Sequence, residues 1–264
     1  MRSQELIDKE ILSILKGKPL DIYKECIKSP FFLIAQKHSN LVSKQRLNMN
    51  DHGPVHMRKV TLYALQISQL LKNKNIVLSG QSEGWCDYGD SLSAIILSSF
   101  THDFGMGINR DNHEFFTLLL AINEIERILN IVYPNELKKV YGMKNMIIES
   151  ISGHMGNQNI ASLEAGILMV ADGCDLEFGR AKTLKNFNIK GKIGDIHSYS
   201  ASCIKKITIS GGEIKAIKIK VEMEESGGFF QIEEILMQKV LKSTIREHVE
   251  IIAYITNEIP KKYL

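Results

Sequence analysis

Histidine and aspartate residues recur at the ends of strongly apolar segments of the sequence. His56 shares a helical stripe with apolar residues, His102–Asp103 closes the run AIILSSFT, and Asp172 follows ILMVA. An ionised carboxylate in such surroundings is costly to desolvate unless a positive group pairs with it. No lysine or arginine lies within these apolar runs. A divalent cation would satisfy Asp103 and Asp172 together, with neutral imidazoles as further ligands, so the sequence predicts a metal site centred on His102–Asp103.

Each of these residues has an ordinary alternative when it is taken alone. A histidine on an apolar face, such as His56, is commonly a hydrogen-bonded core residue. An aspartate that ends an apolar helix commonly caps the next turn, and His113 could lie on the exposed first turn of its helix. The order and the contexts of these residues, taken together, are what favour a metal site.

Helices must bring these residues together, and apolar residues at helical spacing predict helices over most of residues 1–190. Pro54 predicts that one helix begins near that residue, because proline suits the first helical turn. This start makes His56 the ligand and leaves His52 to support a ligand or contact a substrate. The predicted helices run from about His56 to Leu71, Ser91 to Gly105, His113 to Asn130, Glu136 to Ser152 and Ala161 to Phe178, with a polar loop or insertion over 71–91.

The apolar period changes after about residue 190. The segments CIKKITIS and EIKAIKIKVEME alternate apolar and polar residues and are joined at Gly211–Gly212, which predicts a β-hairpin. FFQIEEILMQKVLKS is typical of an amphipathic helix, and HVEIIAYIT of a strand. The expected fold class is therefore α+β, with a mainly helical core over residues 1–190 and a small C-terminal antiparallel α+β unit over 191–264.

The composition argues against a membrane or secreted protein. No apolar run reaches the roughly 18–20 residues that a membrane-spanning helix needs, and the N-terminal segment has charges throughout. The four cysteines, Cys26, Cys86, Cys174 and Cys203, are scattered without a C-x-x-C pair. This pattern predicts reduced thiols and a cytoplasmic location.

The charge distribution favours an anionic ligand. From Arg180 to Lys220 the sequence holds ten basic residues and only two acidic residues, although the net charge of the chain is +3. Such a segment suits phosphates or nucleic acid, or it forms an ordinary solvated face. It lacks the interleaved aromatic residues that would stack on bases, so nucleic acid has no further support here.

The ordered set His56, His102–Asp103 and Asp172 resembles the H…HD…D pattern of the HD superfamily of metal-dependent phosphohydrolases. His56 begins HMRKV, which is similar to the first motif of that family, and His102–Asp103 is followed by Phe-Gly, as in its HD-x-G segment. Asp172 lies in VADGCD, similar to the closing V-A-D-x-x-D. The resemblance covers roughly residues 50–182. The chain as a whole is also similar to a group of archaeal and bacterial predicted HD hydrolases.

The resemblance implies an all-helical core and a metal-activated water that attacks phosphorus. His56, His102, Asp103 and Asp172 would hold one ion, and Asp103 would reach a second ion bound by His113 and His154. Both a one-ion and a two-ion site remain open. His102 and Asp103 would be the catalytic centre, and the mixed ligand set suits manganese, iron, zinc, cobalt or nickel better than magnesium.

Several basic residues lie close in sequence to these ligands and could bind substrate phosphates, although each also suits a solvated surface. Arg180 is the first choice, because it follows Asp172 by about two helical turns. Asp175 or Glu177 could orient a ligand or a water. The full set of candidate phosphate contacts is Arg58, Lys59, Arg110, Arg180 and Lys182.

Three functions fit these expectations. The first is hydrolysis of a nucleotide or another small phosphate ester. The second is a regulatory module that binds a nucleotide without turnover, and the third is a di-iron oxygenase on the same frame. The fold cannot decide between them. Exposed strand edges in the C-terminal unit would also allow a homodimer.

Overall fold

A computed structural model describes residues 3–47, 49–176, 195–255 and 259–264, and in 195–198 it describes the backbone alone. The helical part begins with three helices that precede the candidate site: α1 (Gln4–Ile14), α2 (Gly17–Lys28) and α3 (Pro30–Gln45). The helices that follow are α4 (Pro54–Asn73), α5 (Ser79–Ser82), α6 (Tyr88–Thr101), α7 (His113–Val132), α8 (Leu137–Gly153) and α9 (Leu163–Gly173).

Local signals in the sequence fix where these helices begin. Pro54 lies in the first turn of α4, as predicted. Asp87 and Asp90 form a reciprocal capping box at the start of α6, and Ser162 caps α9 by accepting from the backbone of Ala165. The helix α9 ends at Gly173, earlier than the predicted end at Phe178, and residues 177–178 lie outside the described part of the chain.

The C-terminal unit contains α10 (Asp195–Ser202), β1 (Ile204–Gly211), β2 (Ile217–Met223), α11 (Gly228–Gln231), α12 (Met237–Lys242), β3 (Val249–Ile255) and β4 (Lys261–Lys262). A π-helical turn, Ile232–Leu236, joins α11 to α12. The strand order is β1-β2-β3-β4. The fold class is confirmed: a mainly helical protein carries a small α+β unit.

The expectation of an antiparallel sheet is wrong for its central pair of strands. The predicted hairpin of β1 and β2 is antiparallel, and so is the pair β3 and β4, but β2 and β3 are parallel. The helical segment 228–242 lies between β2 and β3 and carries the chain back to the other end of the sheet. A strand that follows such a crossover enters in the same direction as its neighbour, so the sheet is mixed.

The long helix α4 belongs to both hydrophobic clusters of the described residues. Val60 and Ile67 of α4 pack with Leu168 of α9 and with sheet residues such as Ile219 and Ile251. Met57 and Leu62, on other faces of α4, pack in the second cluster with residues of α1, α2, α6, α7 and α8. The C-terminal unit therefore shares a core with the helical part. Among the described helices, none has the length and apolar character to cross a bilayer.

Candidate metal centre

The structure brings all six predicted ligand side chains into one buried cluster. Each lies at a helix end: His56 in the first turn of α4, His113 as the first residue of α7, and Asp172 beside the last residue of α9. His102 and His154 occupy the positions that follow the last residues of α6 and α8, and Asp103 follows His102. Buried backbone at helix ends has unpaired polar groups, so these positions favour polar side chains within an apolar interior.

The first group of ligand atoms surrounds the Nε2 atom of His56. This atom lies 3.2 Å from Asp103 Oδ2, 3.2 Å from Asp172 Oδ1 and 3.2 Å from His102 Nε2. The Nε2 atom of His102 lies 3.4 Å from Asp103 Oδ2 and 3.6 Å from Asp172 Oδ1. Four potential metal-ligand atoms, one from each of four residues, thus face one another.

The second group uses the other oxygen of the same aspartate. Asp103 Oδ1 lies 3.2 Å from His113 Nε2 and 3.6 Å from His154 Nε2. The two imidazole nitrogens are 3.1 Å apart. Asp103 therefore stands between the two groups, with one carboxylate oxygen directed to each.

The spacing of these atoms fits a divalent cation. Nitrogen and oxygen ligands lie about 2.0–2.2 Å from a zinc ion, so ligands of one ion are roughly 3–3.5 Å apart. Distances of 3.1–3.6 Å within both groups agree with that expectation. These buried His/Asp groups could hold a metal ion.

Three of the four histidines are held in the same tautomer by their own helical turn. In each, Nδ1 contacts the backbone carbonyl three residues earlier, and a carbonyl oxygen can only accept. In the neutral imidazole Nδ1 therefore carries the proton, and Nε2 directs its lone pair into the cluster. The pairs are His102 with Ser99 (2.9 Å), His113 with Arg110 (2.8 Å) and His154 with Ile151 (2.7 Å).

A buried carboxylate orients the fourth histidine. Asp175 Oδ2 lies 2.7 Å from Nδ1 of His56, and Asp175 Oδ1 accepts from the ammonium of Lys59 at 3.1 Å. Carboxylate partners of this kind fix the ring and raise the basicity of the ligand nitrogen. The structure thus places Asp175 in the orienting position proposed from the sequence. Glu177, the other candidate, lies outside the described residues.

Thr117 ties the His102–Asp103 segment to α7. Its hydroxyl donates to the carbonyl of His102 at 2.8 Å and accepts from the backbone N–H of Gly105 at 2.8 Å. A Cβ atom at Gly105 would lie 1.9 Å from the carbonyl oxygen of His113. The absence of a side chain at Gly105 therefore lets the turn after Asp103 lie directly against the turn that carries His113.

Sequence reasoning missed Lys239. This lysine lies in α12, and its ammonium forms an ion pair with Oδ2 of Asp172. No motif in the sequence connects the two residues, because the contact depends on the packing of the C-terminal helix against α9. Asp172 has no basic residue among its apolar neighbours in sequence, but in the structure its Oδ2 atom pairs with a lysine that is distant along the chain.

The described residues of the cluster carry more negative than positive charge. Four buried carboxylates, of Asp103, Asp172, Asp175 and Glu114, contact the histidines, and the two lysines that contact these carboxylates are Lys59 and Lys239. With all four histidines neutral, as metal ligation requires, the carboxylates exceed the lysines by two negative charges among the described residues of this buried site. Such a surplus favours uptake of a cation.

The pKa values reflect the same surplus. Burial opposes ionisation of Asp103 and Asp172, but His102 beside Asp103, and Lys239 beside Asp172, hold both carboxyl pKa values well below their ordinary value. Burial lowers the pKa of His102, yet these carboxylates outweigh it and raise the pKa to about 9. Burial lowers the pKa of His154 to about 4, so its imidazole is neutral at pH 7.

The structure does not bring Arg58 to the cluster. Its guanidinium donates to Asp8 at 2.8 Å and to Gln36 at 3.0 Å, and it lies over the ring of Phe100. Two residues along a helix correspond to a rotation of about 200°, so Arg58 and His56 face different sides of α4. Arg58 therefore connects α4 to α1 and α3.

The other candidate phosphate contacts have different positions. The side chain of Arg110 is exposed in the loop before α7, next to the turn that carries His113. The ammonium of Lys59 forms an ion pair with Asp175. His52 lies beside the first group, with ring centroids 5.7 Å from His56, and its Nδ1 contacts the carbonyl of Asn50. Arg180 and Lys182 lie outside the described residues.

The fold and the site define a mainly helical protein with a buried histidine–aspartate cluster of metal-binding character. The chain is 34% identical over 254 residues to "Uncharacterized protein MJ1020" of Methanocaldococcus jannaschii, and the match covers 96% of each chain. The chain belongs to the same family as that archaeal protein. No family model matches the chain, and no solved structure matches it.

Proposed function

We propose that the protein is a phosphohydrolase that depends on two divalent metal ions and cleaves a nucleotide or another small phosphate ester. The position of Asp103 carries this proposal, because its two oxygens face two different pairs of histidine nitrogens. The order of the ligands along the chain, which resembles the pattern of the HD superfamily, supports it independently.

The two groups would hold one ion each. His56, His102, Asp103 and Asp172 would bind the first ion, and Asp103, His113 and His154 would bind the second. Divalent ions supply Lewis acidity toward water and toward phosphoryl oxygens. The mixed imidazole and carboxylate donors suit manganese, iron, zinc, cobalt or nickel better than magnesium.

The residues of the chain would prepare the site for an anionic substrate. The carbonyl partners of His102, His113 and His154 keep the imidazoles oriented with their lone pairs inward. Two divalent ions would bring four positive charges to a cluster whose described carboxylates exceed its lysines by two, and the resulting positive surplus would attract a phosphate. We propose Arg110 as a phosphate contact, because its backbone carbonyl contacts the Nδ1 atom of His113 and its side chain is exposed.

Phosphate release from a substrate panel tests the proposal. The protein loaded with Mn²⁺ should release phosphate from at least one nucleotide or phosphomonoester, and Asp103→Asn should reduce the rate by about 100-fold or more, since it removes the carboxylate shared by both groups. Asp21→Asn, the same change at an exposed site in α2, should leave the rate unchanged. A loaded protein that is inert on broad panels would overturn the proposal.

The same preparation separates the other two functions. Tight nucleotide binding without phosphate release would favour a regulatory module. Bound iron together with oxygen consumption would favour an oxygenase, which uses similar histidine and carboxylate ligands.

All four cysteines are free thiols, and this supports the cytoplasmic location that we propose for the protein.

A further inference from the structure

Asp172 is shared between the ligand cluster and the C-terminal unit. Its Oδ1 atom lies 3.2 Å from His56 Nε2 and 3.6 Å from His102 Nε2, so this oxygen belongs to the first group. Its Oδ2 atom accepts from the ammonium of Lys239 in α12. The six candidate ligands all lie in the helical part of the chain, whereas Lys239 comes from the C-terminal unit.

Two glycines of α9 let the C-terminal segment approach closely enough for this contact. A Cβ atom at Gly173 would lie 3.2 Å from Cδ of Lys239, so the lysine stem rests on the bare backbone beside Asp172. A Cβ atom at Gly166 would lie 2.2 Å from the hydroxyl of Thr244. The two glycines lie seven positions apart, which places them on one face of α9, two turns apart.

Near Gly166, the hydroxyl of Thr244 donates to the carbonyl of Ser162 at 2.7 Å and so holds the C-terminal segment against the start of α9. The π-helical turn at Ile232–Leu236 precedes α12 directly. One extra residue in a turn rotates the residues that follow by about 100° around the helix axis. Lys239 follows this turn, and its side chain is 11% exposed, beside the fully buried residues Leu236 and Val240.

Stability alone does not explain a buried lysine at this position. Removing a lysine and a carboxylate from water costs free energy that their attraction repays only in part, and apolar pairs of similar size often stabilise as well or better. The ion pair of Lys239 with Asp172 instead fixes the orientation of the Asp172 carboxylate, whose other oxygen faces two histidine nitrogens. Residues that hydrogen-bond to ligating carboxylates orient them toward the metal.

We propose that Lys239 is a positioning residue of the metal centre, which holds Oδ2 of Asp172 so that the carboxylate offers Oδ1 alone to a cation bound with His56 and His102. The C-terminal unit thereby completes a centre whose ligands belong to the helical part. This inference rests on the proposed metal-dependent function, but it concerns metal binding and not turnover.

Titration of the full-length protein with Co²⁺ tests the inference, because the visible absorption of Co²⁺ reports its coordination. Lys239→Met should weaken one of the two Co²⁺ sites about 10- to 100-fold and change its visible band, while the second site keeps its affinity. Lys239→Arg retains a cationic donor and should restore most of the affinity. Lys242→Met, an exposed lysine one turn later in α12, should behave like the parent protein.

Several outcomes would overturn the inference. One is a Lys239→Met protein with the parent affinity and spectrum, and another is equal weakening of both sites in a variant that keeps the helical circular dichroism of the parent protein. Should the methionine variant fail to fold, Lys239→Gln is titrated in its place, with the same expected loss at one site. A parent protein that binds no Co²⁺ would overturn both proposals, whereas normal Co²⁺ binding without phosphatase activity would overturn the proposed function alone.

Discussion

The Nδ1 atom of His56 lies 2.7 Å from Oδ2 of Asp175, across 119 residues of sequence. Because this carboxylate sets the tautomer of His56, Asp175→Ala should lower the affinity for Mn²⁺ by about 10- to 100-fold, as measured by calorimetry. Asp21→Ala, at an exposed position in α2, is the matched control. An unchanged affinity in the Asp175 variant would show that His56 does not depend on this partner.

The separation of the ligands into two groups predicts how the metal content responds to single substitutions. Elemental analysis should give two ions per chain for the parent protein, and about one for His113→Ala, because that change removes a donor from the second group alone. Asp103→Ala should lower the content further, since it removes a donor from both groups. One ion per chain in the parent protein would contradict the two-ion proposal.

Metal binding should compete with protons at His102. Its pKa is raised from 6.5 to about 9, so in the metal-free protein this contribution to stability is complete below about pH 6.5 and is lost as the pH rises toward 9. A cation replaces the proton, so the increase in Tm on adding Mn²⁺ should grow over the same interval. His248→Gln, at a partly exposed histidine, should keep this pH dependence, and His102→Gln should abolish it. The same increase in Tm at every pH in the parent protein would contradict the prediction.

The close contact at Gly105 predicts a large effect from one methyl group. Gly105→Ala would place Cβ 1.9 Å from the carbonyl oxygen of His113, so it should lower the free energy of unfolding by about 2 kcal/mol or more, measured with urea. The variant should also bind the second ion more weakly. At Gly211, a Cβ atom would meet its nearest neighbour at 3.9 Å, which makes Gly211→Ala the tolerated control. Equal stabilities of the two variants would refute this account of the turn.

Asp103 and Asp172 could be predicted as candidate ligands because burial of a carboxylate is visible in its apolar neighbours, whereas His113 and His154 were predicted only through the resemblance to the HD superfamily. Asp103 and Asp172 each follow long apolar runs, and the structure shows both buried beside histidines. The helical frame and the β1–β2 hairpin were predictable for the same reason, since each leaves a periodic apolar pattern. The proton positions on His102 and His154 follow from a local contact with the carbonyl three residues earlier.

Contacts between distant segments could not be predicted in this way. Lys239 reaches Asp172 through the packing of α12 on α9, and the apolar pattern around Lys239 indicates only an amphipathic helix. The parallel pairing of β2 and β3 likewise depends on the path of the chain between them. Arg58 is a different case, because the helical period of α4 already places it away from His56. Closeness to His56 in sequence was therefore the wrong reason to expect a phosphate contact.

The two hydrophobic clusters that meet along α4 have a consequence for how the proposed metal centre would take up its ions. Small metal-dependent domains are unfolded without metal because the ligands supply most of their folding free energy. Here both clusters consist mainly of aliphatic and aromatic side chains, and none of the candidate ligands belongs to either cluster. Chelation should therefore leave the helices intact, and one metal should replace another by simple exchange. The identity of the ions would then follow the supply in the surrounding solution, and it would not be fixed once during synthesis of the chain.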